Sequence, residues 1–384
     1  MSAATARRRK QLIARKQAQE EDAVSAQLSR LLEGADLGDE PVAYEALQLA
    51  QSQVRKKIKS SDFPGAVHLA YHASLCILKK GRVSVASQLL QVLAEVLRET
   101  HTVETPELIA HVVELHDAHH VAMEGRTGKE ANRLHRLHRD WLRRCVQWSA
   151  ELGPIRFGQC RLQELLSSQC WFLAKFDDEE GEEELMELKT DAVTHMALAE
   201  KPEQIIEWLK TLPKPTDKET AKGHACPPGE RDALFTRALL CLCAIENLRD
   251  ATKLAKGYLD VEERTVEELQ KSYTSKEDGK APSHAMFGCM LIRVCEKDPR
   301  TGPLFSWLLR SFKLELDGMY KPQIVASYTT KIGKIFFNIQ PPPSMLNMVE
   351  NMMGMMGGGG MGGGAGGMNP AMMQALAAQM GGGK

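Results

Sequence analysis

The sequence predicts an all-α protein, an α-solenoid of stacked antiparallel helix pairs of the tetratricopeptide-like kind. Three observations carry this. Apolar residues recur at helical spacing through most of the chain. Segments that alternate apolar with polar residues are almost absent. Pro and Gly sit between the periodic segments rather than inside them. No repeat of fixed length stands out, so the array is degenerate.

The elements follow in order. Residues 1–25 read as a basic arm, because Arg7, Arg8, Arg9, Lys10, Arg15 and Lys16 precede any acid. The same composition occurs in organellar transit peptides, but Glu20, Glu21 and Asp22 restore the charge balance at once, which suits an arm leading into a first helix. Ala43, Leu47, Ala50, Val54 and Ile58 then mark one helix face. Ser61–Gly65 breaks it, with Asp62 as cap and Pro64 in the next first turn. A second helix over 64–79 buries Val67, Ala70, Ala73, Leu75 or Cys76, and Ile77, and ends at Gly81. A third over 82–98 offers Val85, Leu89, Leu93 and Val96. Further helices are predicted over 105–121, 129–149, 158–174, 179–198, 202–211, 230–246, 248–258, 262–272, 283–297, 302–314 and 321–337. The Pro-rich stretch 212–229 and the polar stretch 274–282 read as loops. The chain thus divides into the arm, a solenoid half over 26–211, a second half over 230–340, and a disordered Pro/Met/Gly-rich tail over 341–384. The acidic run 177–187 reads as a solvated helix start, or less simply as a contact for a basic partner.

Chemistry is scarce. The net charge of −1 argues against a nucleic-acid binder, and no apolar run is long enough for stable membrane insertion. Nine scattered cysteines without a Cys-x-x-Cys or a secretory signal suit a reduced, cytosolic compartment. Gly125–Glu130 lacks the first Gly and the Ser/Thr of a phosphate loop. His116 and His120 share a helix face that could meet zinc, yet with no Cys nearby the seven histidines between His101 and His138 read as exposed or capping residues. Cys241 and Cys243 read as small core residues. No catalytic residue, cofactor or metal is predicted.

Two surface features remain. Arg55, Lys56, Lys57 and Lys59 form either a solvated helix end or a docking strip for an acidic partner. Near the C-terminus, Phe305, Trp307, Ile332, Ile335, Phe336 and Phe337 make an apolar end that lacks a polar cap, which favours a partner helix packing there.

Four segments in order resemble the Golgi-to-ER traffic protein 4 family, over about residues 26–356. They are Tyr44–Leu49 after Leu31–Gly34; Gln147–Ser149 with Cys160–Leu166; Leu239–Ala251; and Tyr328–Phe337 followed by Pro341–Pro342. The resemblance implies a non-catalytic scaffold in post-translational targeting of tail-anchored membrane proteins to the ER. Its N-terminal half would dock a dimeric targeting ATPase, here through Tyr44, Arg55, Lys56, Lys57 and Lys59. Its C-terminal half would hold a ubiquitin-like adaptor, which recruits a client-loaded co-chaperone. Phe287 would belong to that edge, with the apolar residues above. The basic arm, the loop 212–229 and the long tail depart from the family's pattern. A helical-repeat subunit of a proteasome-lid or signalosome-like assembly is the alternative, and it would add strands after residue 283. An organellar enzyme is a third class, with no site to support it. In the tail, Met368–Met380 resembles the Asn-Pro-x-Met-Met helices of co-chaperone modules that touch hydrophobic clients, which would assign client contact to Met372, Met373, Leu376 and Met380; otherwise the tail is low-complexity chain without a ligand.

Overall fold

A computed structural model describes residue 23 and residues 26–33, 40–176, 181–212, 229–262, 265–268, 284–297 and 299–340. A short helical segment, 26–33, comes first. Among the described residues the α-helices that follow are α1 (Glu40–Lys59), α2 (Phe63–Lys79), α3 (Val83–Glu99), α4 (Pro106–Met123), α5 (Gly128–Leu152), α6 (Cys160–Phe176), α7 (Glu182–Leu198), α8 (Pro202–Thr211), α9 (Glu230–Ala244), α10 (Leu248–Glu262), α11 (His284–Cys295), α12 (Gly302–Ser311), α13 (Lys313–Asp317) and α14 (Pro322–Phe337), with a 3-10 turn at Pro299–Thr301 before α12. There is no strand among the described residues, residues 284–340 included.

Local sequence sets the boundaries. At the α1–α2 turn Ser61 takes a positive φ of 63°. Asp62 then caps α2, its Oδ1 accepting from the Gly65 amide at 3.1 Å. Lys57 Nζ reaches Asp62 Oδ2 at 2.7 Å. That hydrogen bond, with the one from Gly65, holds the Asp62 carboxyl below the usual carboxylate range. Asp62→Ala is expected to cost about 1 kcal/mol, read as a lower urea midpoint, with Asp62→Asn restoring most of it through its remaining acceptor. Gly81, just past α2, has φ of 73°, so the predicted stop is a left-handed position that suits Gly.

Packing is layered. α2 lies on α3 and α4, α3 on α5, α4 on α6, α7 on α9, α8 on α10 and α9 on α11. Contact with the next helix and the one beyond it is the solenoid pattern. The main apolar core runs from Leu28 to Phe337, with a small separate cluster of Leu173, Ala174 and Leu188 between α6 and α7. Residues through Ile339 form one compact unit. α9 is buried almost throughout, since α7, α8, α10, α11 and α14 surround it. That suits the apolar run Ala238–Ala244 in its second half.

The predicted helix 302–314 divides into α12 and α13 at Phe312, whose backbone leaves helical geometry (φ −109°, ψ 21°) and whose buried ring packs on Phe287 at 5.3 Å between ring centres. Of the predicted helix 262–272, residues 266–268 are described as helical, opened by a capping box in which Thr265 and Glu268 each accept the other's amide.

α14 departs most from a simple stack. It packs on α9, α12 and α13 and reaches further back. Arg237 of α9 donates to the Tyr320 carbonyl at its start. Lys321 Nζ meets Glu187 Oε1 of α7 at 2.8 Å. Lys331 Nζ lies 4.7 Å from the ring centre of Phe157, in the α5–α6 loop. The helix therefore straps across earlier layers. The acidic run also has partners inside the chain: besides Glu187, Glu184 pairs with Arg136 of α5.

Candidate functional site

The basic strip lies on α1. Ala43, Ala46, Leu47, Ala50 and Val54 face the core. Tyr44, Arg55 and Lys59, spaced near whole turns, lie on the opposite, exposed face with Lys56 beside them. Tyr44 is 40% exposed, unusual for a large ring. Lys57 differs from the others. It is half-buried and engaged with Asp62, so it belongs to the α1–α2 turn rather than to a free strip.

At the other end the structure corrects the predicted apolar surface. Phe287, Phe305, Ile332 and Phe337 are buried. Phe305 and Phe337 stack with ring centres 4.8 Å apart, because α14 packs on α12 and brings its apolar end under that helix. Gly333 permits that approach, since a Cβ there would come within 3.2 Å of the Phe305 ring. Ile335 and Phe336 are half-buried. Trp307 alone among the seven is exposed, at 42%. Leu304, one turn before it and also exposed, escaped the sequence reading, which weighted aromatic density rather than the helix face. Met372, Met373, Leu376 and Met380, like the basic arm, lie outside the described residues.

The histidines are the larger correction. His116, His119, His135 and His138 are buried rather than exposed or capping. They meet between α4 and α5 with His120. His116 Nδ1 and His138 Nε2 are 2.9 Å apart. His119 stacks on His138 with ring centres 3.8 Å apart. Burial first, then neighbouring imidazoles, pushes His116 down to about 3 and His119 to about 2. His135 falls to about 4, and His120 and His138 are lowered as well. All five rings are therefore neutral at pH 7. Gly125–Glu130 forms the turn into α5 with positive φ at Gly125 and Gly128, and no strand precedes it among the described residues. Cys241 and Cys243 are buried, and burial raises the Cys241 thiol to about 11. The eight described cysteines are all free.

The comparisons with known proteins fit this architecture. The profile of the family described as Golgi to ER traffic protein 4 matches residues 60–357. The chain belongs to the Golgi to ER traffic protein 4 family. It is 22% identical over 333 residues to Protein GET4 of Arabidopsis thaliana, an overlap of 81% of this chain and 91% of that one. Its fold is similar to the crystal structure of C. therm. Get4, with a TM-score of 0.50 at 17% identity, covering 91% of this chain and 99% of the other. Membership in the Golgi to ER traffic protein 4 family gives the chain a role in guided entry of tail-anchored proteins, in a family of scaffold type. No helix among the described residues is long and apolar enough to cross a membrane.

Proposed function

We propose that this chain is a non-catalytic cytosolic scaffold that brings a dimeric targeting ATPase together with a ubiquitin-like adaptor carrying a client-loaded co-chaperone. The observation that carries the reading is the outer face of α1. Arg55, Lys56 and Lys59 have no acidic partner among the described residues, and Tyr44 stands exposed on the same face. Unpaired cations around an exposed ring suit an acidic docking surface, with gains in encounter rate and orientation. At the far end, Leu304 and Trp307 on one face of α12 are the side chains that favour an apolar adaptor segment. The solenoid half over 26–211 would then face the ATPase, and the half over 230–340 the adaptor.

The test uses the full chain. Arg55→Glu with Lys59→Glu is expected to weaken ATPase binding by at least ~10-fold at low salt, and to flatten its salt dependence. Adaptor capture should be unchanged, while Leu304→Ser with Trp307→Ser should show the reverse pattern. Wild-type affinity of the charge-reversal variant at low ionic strength would refute the α1 assignment. Lys57 is left intact, because altering it would disturb the α2 cap.

A further inference from the structure

The seam between α4 and α5 is filled by rings, and these two consecutive helices make little backbone contact. We propose that His116, His120 and His138 bind a first-row divalent cation of zinc's class and so tie α4 to α5. The geometry is that of a chelate. His116 and His120 are one turn apart on α4, and His138 enters from α5. One ligand nitrogen from each lies within 4.8 Å of the others. The 2.9 Å between His116 Nδ1 and His138 Nε2 is slightly less than the ~3.3 Å between two nitrogens held ~2.0 Å from a tetrahedral zinc. Small ring movements would open the pair to accept an ion.

A second observation is independent of that spacing. A neutral imidazole carries one N–H and one lone pair, and both need partners when buried. His119 is 0% exposed, yet neither of its ring nitrogens has a hydrogen-bond partner. The Nδ1 atoms of His135 and His138 are also unsatisfied. As ordinary filling, five clustered imidazoles cost more than aliphatic side chains of similar volume, since each orphaned polar atom loses its hydration without replacement. An ion changes that balance. It takes a lone pair from each of His116, His120 and His138.

The donor set also selects the ion. Three imidazoles suit zinc and its neighbours, whereas calcium and magnesium require oxygen ligands. His120 is half-buried and sits beside the exposed Phe172, ring centres 6.1 Å apart. Ion and fourth ligand, a water, would enter on that side.

The full-length protein, stripped with chelator and shown to be folded by circular dichroism, is titrated with Zn2+ against a competing chelator and with Co2+ in the visible range. The expected result is one equivalent bound, a Co2+ spectrum of tetrahedral type, and a thermal midpoint that rises with free Zn2+. His120→Gln, at the half-exposed ligand, should weaken Zn2+ binding beyond the ~10–100-fold that loss of an outer-shell partner costs, while His68→Gln on the surface should leave it unchanged. His138→Asn should do as His120→Gln does; if it fails to fold, His120→Gln decides alone. A folded wild-type chain that retains no Zn2+ or Co2+ after dialysis overturns the proposal, as does a His120→Gln variant that binds with wild-type affinity.

Discussion

Trp148→Ala is expected to be the most damaging single substitution in the N-terminal layers. The indole is fully buried, and its Nε1 donates to the Thr102 carbonyl at 2.7 Å. Truncation opens a large cavity in the core and strips a half-buried carbonyl of its donor. Together these cost about 4 kcal/mol, which in a unit of this size lowers the thermal midpoint by roughly 6 °C. Neighbouring bonds amplify the effect. Ser149 donates to Glu104 and accepts from the Gln159 amide at 2.7 Å. The end of α5 thus fastens the α3–α4 loop on one side and the α5–α6 loop on the other. Trp148→Phe, which keeps most of the ring packing, should retain more than half of the lost stability. A thermal scan of the three proteins measures this, and near-equality of the Ala and Phe variants would show that packing is not the cause.

Stability should also fall as pH drops below neutral, and His195 provides a site where the sign can be worked out. Its Nδ1 lies 2.7 Å from Gln163 Oε1. Burial, with Arg143 nearby, pushes its pKa down to about 4. Above the ordinary value of 6.5 the ring is neutral in both folded and unfolded chains and makes no difference to stability. Below 6.5 the unfolded chain takes up the proton first, so stability is lost down to about pH 4 and then levels off. His195 is partly exposed, which reduces the effect to about 1–2 kcal/mol at pH 5. His195→Gln, compared with wild type by urea denaturation at pH 7 and pH 5, should lose less stability between the two. Equal losses would mean that His195 is solvated well enough to titrate normally.

The fold was largely legible because a solenoid writes its packing locally. Asp62, Pro64 and Gly81 announced the ends of α2, and Val85, Leu89, Leu93 and Val96 its successor's buried face, from contacts that need only the adjacent layers. What stayed hidden depends on partners far away in sequence. His116 and His138 are 22 residues apart on different helices, and each sits among charged residues that make its helix look solvent-facing. Phe337 looked uncovered because the ring that covers it, Phe305, lies in another element. Lys57 looked like its neighbours Arg55, Lys56 and Lys59 until the turn brought Asp62 beneath it. The family motif around Trp148 was visible as a resemblance, but its reason, a bond to Thr102 across two helices, was not.

The strap formed by α14 has a consequence for synthesis. The layers from α1 onward contact near neighbours, so they can form in order as the chain leaves the ribosome. Phe157 must wait for Lys331 and Glu187 for Lys321. At ~5–20 residues per second that interval is on the order of ten seconds or more. Once α9 is made, its side that meets α14 has no cover until residues 322–337 follow, and a nascent-chain binder would have its clearest access there. Closure by α14 would then mark the moment at which the scaffold is released as a finished body.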